Sequence, residues 1–248
     1  MMLRSLLVLA APLMAAAGLA HSPAATCTTS AQYGTCSFGP YVVNQDEWNP
    51  ASGSGQTLTA ASHNHWSVRT SQPPGAYVRT YPDILQNLPG YAFSSYRRAV
   101  QTFTDSVTYT SGTGETAADL WLNGAPGTST YNSSTVEVMV WTSNHGQTPA
   151  GTDTATARIN GQTFSVWECA TPSCVRSLGH IYFAFVLRGS ETSGQIHDVD
   201  TIRWLVRHGL MAPSLPFDQI DYGAEFGNMS QQTTATLRFT RYSNGITR

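Results

Sequence analysis

Glycine and proline punctuate this chain at short intervals, 21 and 13 of them in 248 residues, and the stretches between are rich in Val, Thr, Tyr and Trp. That spacing leaves little room for long helices. It predicts many short strands joined by turns, as in a sandwich or jelly roll, rather than alternating β-α-β units. Candidate strands fall at 39–43, 65–70, 77–81, 106–109, 117–122, 135–141, 154–159, 164–168, 181–187, 219–222 and 235–242. One helix is expected, with Asp198 as its cap, Val199, Ile202, Leu205 and Val206 at helical spacing, and Gly209 closing it. Arg203, Arg207 and His208 gather toward its C-terminal end, where the helix dipole favours cations. The chain shows no internal repeat and no linker that would divide it. The expected architecture is an all-β jelly-roll sandwich of two antiparallel sheets, with one short helix packed on the outer face.

Charged residues make up only 11% of the chain and the formal net charge is −2. No basic field is available to hold nucleic acid, and no polybasic run suggests a membrane surface. A surface of Ser, Thr, Asn, Gln and Gly, with six Trp and eleven Tyr in the chain, suits work on neutral polymers such as sugars. At the N-terminus Arg4 precedes an apolar run from Leu6 to Leu19, followed by small residues. This reads as a secretory signal peptide over residues 1–20, with cleavage as late as residue 25, ahead of a single domain at 26–248. The mature protein is expected outside the cell, with no membrane span. Its four cysteines then sit in an oxidising compartment, where three pairings are open. The local pairs, Cys27 with Cys36 and Cys169 with Cys174, are favoured. The stretch between the second pair reads as a tight turn.

Three acidic positions stand out. In the 135–141 strand, Val136, Val138 and Val140 share one face, and Glu137, Met139 and Trp141 share the other. An ordinary half-buried strand would carry Thr, Ser or Lys there, so this face reads as the floor of a cleft. Asp119 and Trp121 likewise oppose Leu120 and Leu122. Glu225 follows Tyr222 and Gly223 at a strand end, where glycine lets the backbone bend toward a ligand. Two carboxyl groups on one sheet face are what glycoside hydrolysis requires, one for the anomeric carbon and one for the leaving oxygen. A lone strand Glu is most often solvated or salt-bridged. Here the acids alternate with Trp and Met rather than with Lys or Arg.

The run from Glu137 to Trp141 resembles the Glu-x-Met-x-Trp motif around the nucleophile of glycoside hydrolase family 12. Tyr222-Gly223-Ala224-Glu225 is similar to that family's acid/base motif, and Asp119 falls where the family has its assisting aspartate. The segment from Tyr41 to Trp48 resembles its N-terminal strand, Gln147 to Gly151 its Pro-x-Gly loop, and Asp198 to Gly209 its single helix. The resemblance covers Tyr41 to the C-terminus, although Gln45-Asp46-Glu47 stand where the family has paired Asn, and the stretch after Glu225 is shortened. It implies a retaining endo-β-1,4-glucanase acting on cellulose-like, mixed-linkage or xyloglucan chains. Glu137 would be the nucleophile, Glu225 the acid and base, and Asp119 the partner that tunes Glu137. Trp48 and Trp141 would stack on sugars, with Met139 on the floor and Pro149 in the adjoining loop. A β-glucan is then the only partner of a monomer that needs no cofactor or metal.

The rival from another class is a non-catalytic carbohydrate-binding sandwich, which would not need both Glu137 and Glu225. A family 11-like xylanase fits less well, because its nucleophile strand lacks Glu-x-Met-x-Trp. His63 with His65, and His197 with Asp200, have spacings seen in metal pairs, but they read better as surface residues and a helix start. No Gly-x-Ser-x-Gly elbow or phosphate loop is present. Asn132 and Asn228 begin glycosylation sequons.

Overall fold

The computed structural model describes residues 26–75, 78–227 and 230–248; the proposed signal peptide and the Asn228 sequon lie outside them. Two sheets face each other. The smaller has six strands in the order β1 (Cys27–Thr29), β4 (Gly55–Ser62), β5 (His65–Gln72), β15 (Thr233–Thr247), β7 (Arg98–Ser111) and β13 (Ser193–Ile196). The larger has nine, in the order β10 (Thr152–Ile159), β11 (Gln162–Cys169), β12 (Ile181–Leu187), β9 (Val136–His145), β8 (Gly114–Leu122), β14 (Phe217–Phe226), β6 (Asp83–Asn87), β3 (Tyr41–Asn44) and β2 (Thr35–Phe38). The jelly-roll sandwich expected from the sequence is the observed class. It is not antiparallel throughout, because β12 runs parallel to β9.

Period-two alternation in the central strands sorts residues between two faces. Val136, Val138 and Val140 of β9, Leu120 and Leu122 of β8, and Ile220 and Tyr222 of β14 are buried against the smaller sheet. There they meet Leu58, Val68, Phe103, Leu237 and Phe239. Burying apolar surface at about 25 cal/mol per Å² makes this layer the main stabilising term. The Trp66 and Phe239 rings stack with centroids 4.2 Å apart.

A polar chain crosses the same interior. The Tyr222 hydroxyl donates to Asp105 Oδ2 at 2.6 Å. It also lies 2.8 Å from the Thr142 hydroxyl, which lies 2.8 Å from that of Thr116. One phenol on β14 therefore joins the smaller sheet to the larger one.

Among the described residues two α-helices are present rather than the one expected. α1 (Pro172–Leu178) occupies the segment read as a tight turn. Its markers are Thr171 accepting from the Cys174 N–H at 3.4 Å, Pro172 in the first turn, and Gly179 at φ 95° beyond the last. α2 (Asp198–Arg207) is the helix expected, but Asp198 is its first residue and not its cap. The Asp198 carboxylate is buried and accepts from Gln101 Nε2 at 3.0 Å, so it cannot turn back to the helix N–H groups. Nor does α2 lie on an outer face. Val199, Ile202, Trp204 and Leu205 enter the main core, and the Trp204 ring meets Phe185 edge-on at 5.5 Å. The helix therefore extends the layer that covers the inner face of the larger sheet.

Ten of the eleven candidate strands coincide with observed ones, several far longer than expected. The exception is 77–81, where Tyr77 is outside the described residues and only Thr80 forms a bridge, to Phe226. Both local disulfides form, with Cα separations of 6.0 Å for Cys27–Cys36 and 5.4 Å for Cys169–Cys174. The first links an edge strand of one sheet to an edge strand of the other. The second ties α1 to the end of β11.

Burial pushes the Asp105 carboxyl up to about 7, partly offset by the bond from Tyr222. Between the unfolded value near 4 and about 7, the folded protein binds more protons at this site than the unfolded chain. The associated stability is therefore complete below pH 4 and is lost as pH rises through 7. Thermal midpoints measured from pH 5 to pH 8 are expected to fall, and Asp105→Asn should flatten that decline. A variant whose midpoints track the parent at every pH would exclude the effect.

Candidate active site

The face of the larger sheet turned away from the core carries the acids. On β9 it presents Glu137, Met139 and Trp141; on β8, Glu115, Ala117, Asp119 and Trp121; on β14, Gln219, Asp221, Gly223 and Glu225. These strands are neighbours, with β8 in the middle. Antiparallel register sets Asp119 opposite both Asp221 and Met139, Trp121 opposite Glu137, and Glu115 opposite Glu225. Asp119 and Glu137 are diagonal neighbours on one face, a spacing that long side chains span. Gly223 lies against β6, where an added Cβ would come within 2.3 Å of the Pro82 carbonyl oxygen. Its lack of a side chain thus serves strand packing.

These carboxyl groups are buried in each other's company. Glu115 is fully buried, Asp119 and Glu137 nearly so, and Glu225 half-buried. Burial first, then the Glu137, Glu225 and Asp221 charges, hold Asp119 well above the usual carboxylate range. A hydrogen bond to Glu137 adds to this. Among the described residues, no N–H or O–H reaches Asp119 Oδ1 or either oxygen of Glu115. Two carboxyl groups bond to each other only when one is protonated, and the upward push on Asp119 and Glu115 makes these two the proton carriers beside Glu137 and Glu225. Glu115 is likewise pushed well up, by burial and then by the Glu225 charge. Glu225 itself is raised to about 7, by burial above all; the bond from Glu115 pulls it down, and the Glu137 and Asp46 charges push it up.

Beside this lies a second acidic group. Burial raises Asp46 to about 7; burial, then the Asp221 and Asp46 charges, raise Asp83 well above the usual range, and burial does the same for Asp221. Gln219 Nε2 donates to Asp221 at 2.7 Å. Among the described residues, no group of three or more His, Cys, Asp or Glu side chains is arranged to hold a metal ion. No helix there is long and apolar enough to cross a membrane.

Glu137 has a partner that the sequence did not reveal. His180 stands between Gly179, which ends α1, and the first residue of β12, the strand parallel to β9. Its Nε2 is hydrogen-bonded to Glu137 Oε2. Its Nδ1 lies 2.7 Å from the Tyr131 hydroxyl. The Trp121 ring packs against the imidazole at 5.4 Å.

The remaining expected residues divide. Met139 and Trp141 are buried, 1% and 2% exposed, in a small cluster with Ala117, Cys169, Tyr182 and Ala184. The Trp141 N–H and the Tyr182 O–H both approach the Met139 sulfur, at 3.3 and 3.2 Å. Trp141 is thus packed beneath its neighbours and offers no open ring face. Trp48 is 45% exposed, just beyond β3 on the far side of β14 and β6. Pro149 is buried in the loop after β9, whose Gln147 Nε2 donates to the Gly227 carbonyl at 3.3 Å, two residues from Glu225.

Glu115 was within reach of sequence reasoning, since counting back by twos from Asp119 passes Ala117 and arrives there. His180, Tyr131 and Asp83 carry no periodic signal. Two variants separate the neighbours of Glu225. Glu115→Gln keeps an N–H donor and should leave the Glu225 titration near 7. Glu115→Leu keeps none and should move it upward, as read by carbon-13 NMR of the side-chain carboxyls.

The sequence profile of glycosyl hydrolase family 12 matches residues 39–247. Three solved structures share the fold. Endoglucanase 3 of Trichoderma harzianum superposes with a TM-score of 0.77 at 20% identity, over 92% of this chain and 100% of its own. A xyloglucanase of Bacillus licheniformis gives 0.74 at 17%, over 89% and 100%. A xyloglucanase domain from Sinorhizobium fredii, in complex with cellobiose, gives 0.71 at 22%, over 89% and 99%. With the profile spanning the sandwich from β3 to β15, and with carboxyl pairs on the face turned away from its core, this chain belongs to glycosyl hydrolase family 12.

Proposed function

We propose that this glycoside hydrolase is a retaining, endo-acting β-1,4-glucanase, secreted as a monomer. Its substrates would be cellulose-like, mixed-linkage or xyloglucan chains. The observation that carries the mechanism is the pairing of acids on three adjacent strands, Glu137 with Asp119 and Glu225 with Glu115. Asp119 and Glu115, both held well above the usual carboxylate range, are the proton carriers facing Glu137 and Glu225. Asp119, held protonated, is a donor toward Glu137, which suits the partner of a nucleophile. Glu225, raised to about 7, keeps its proton in mildly acidic solution, which suits a general acid.

In the first step a Glu137 oxygen bonds to the anomeric carbon as the glycosidic C–O bond breaks, and the Glu225 proton passes to the leaving oxygen. In the second, Glu225 takes a proton from water, the water oxygen bonds to the anomeric carbon, and Glu137 leaves as a carboxylate. The carboxyl groups of retaining enzymes lie about 5–5.5 Å apart to allow this. Exposed Trp48 is the stacking surface proposed for the glycone side. Met139 supports the floor, Trp141 braces it from below, and Pro149 shapes the loop beside Glu225. The disulfides suit an oxidising compartment.

Reducing-sugar release and product analysis on carboxymethyl cellulose, barley β-glucan, xyloglucan and xylan test the substrate class. Proton NMR of the first product should show the β-anomer. Glu225→Gln is expected to lose about 10²–10⁴-fold in kcat on unactivated glucan, and Glu137→Gln at least as much. Because the acid must be protonated, kcat/KM should fall as pH rises through about 7. Binding of the glucans by the parent protein without hydrolysis of any would favour the non-catalytic sandwich.

A further inference from the structure

We infer that His180, oriented by Tyr131, is a positioning residue that holds Glu137 through an Nε2–H donor and eases its departure in the second step. The inference rests on the reading of Glu137 as nucleophile.

Both imidazole nitrogens are engaged, and the ring is only 6% exposed. An ionised carboxylate only accepts hydrogen bonds, so Nε2 must carry the proton that faces Glu137 Oε2. In the neutral ring Nδ1 is then an acceptor, and the Tyr131 hydroxyl at 2.7 Å is placed to donate to it. Burial, then the Glu137 charge, raises the Tyr131 phenol, which keeps it a donor. Tyr131 therefore selects the tautomer, as the second partner of an imidazole does elsewhere. The edge of Trp121 against His180 at 5.4 Å, with Tyr131 a further 6.0 Å from Trp121, restrains the ring. Asp119 approaches Glu137 from β8 and His180 from the turn that leads into β12, so the carboxylate is held from two sides.

The chemical consequence is asymmetric. A donor on the nucleophile makes it slightly less reactive in attack but a better leaving group when the glycosyl–oxygen bond breaks. Loss of His180 should therefore slow deglycosylation more than glycosylation. With an aryl β-cellobioside whose leaving group is good, kcat reports the second step and kcat/KM the first.

His180→Leu removes the donor. It should lower kcat about 10- to 100-fold, the range for a hydrogen bond to a charged group. KM should fall with it, and the glycosyl-enzyme should accumulate, visible by mass spectrometry. His180→Gln places an N–H near the Nε2 position and should restore most of kcat. Equal losses in kcat and kcat/KM, or a Gln variant as impaired as Leu at the same thermal midpoint, would overturn the inference. Should His180→Leu not fold, Tyr131→Phe decides: a fall in kcat with a lower KM supports it, and unchanged kinetics sink it. If the parent hydrolyses glucan and Glu137→Gln does not, while the His180 variants match the parent, only the role of His180 fails. If Glu137→Gln remains active, the reading of the nucleophile fails instead.

Discussion

Carboxyl groups crowded together out of water cannot all be ionised, and the chemistry of this protein follows from that constraint. Glu115, Asp119, Glu137 and Glu225 sit on three adjacent strands, nearly or half-buried. Desolvation penalises each charge, and each charge penalises the others. The arrangement relaxes by keeping protons on Asp119 and Glu115, which then donate to Glu137 and Glu225. Burial and partners distinguish the two glutamates: Glu137 has His180 on one side and Asp119 on the other, whereas Glu225 is more accessible.

So costly a cluster needs a rigid support, and the other face of the same strands provides it. β14 does both tasks residue by residue. Tyr222 reaches inward to Asp105 and Thr142, while Asp221 and Glu225 point outward. The two disulfides act at the margins, one between edge strands of the two sheets and one anchoring α1. Because α1 ends at Gly179, its anchoring also places His180, the next residue, beside Glu137.

Much of this was legible in the chain. Strong alternation of Val with Glu, Met and Trp identified β9, the same period identified β8, and β14 was found only at its centre, 219–222. Weakly patterned strands escaped: β4 relies on Leu58 and Ala60 among threonines, and β13 is four residues including a glycine. Their pairing comes from long-range neighbours rather than local preference. α1 was misread because a disulfide suggested a turn, although Thr171, Pro172 and Gly179 carried ordinary helix-boundary signals. Trp141 looked like open surface because alternation reports which face a residue takes, not what covers that face.

By itself the sequence determined the sandwich and the strand faces that carry Asp119 and Glu137, and it favoured the local cysteine pairs, since these follow from spacing along the chain. Only the tertiary structure decided how those acids pair, that Glu115 lies opposite Glu225, and that His180 reaches Glu137 from 43 residues away. Register across strands and the parallel junction of β12 with β9 are set by long-range packing. No local period encodes them.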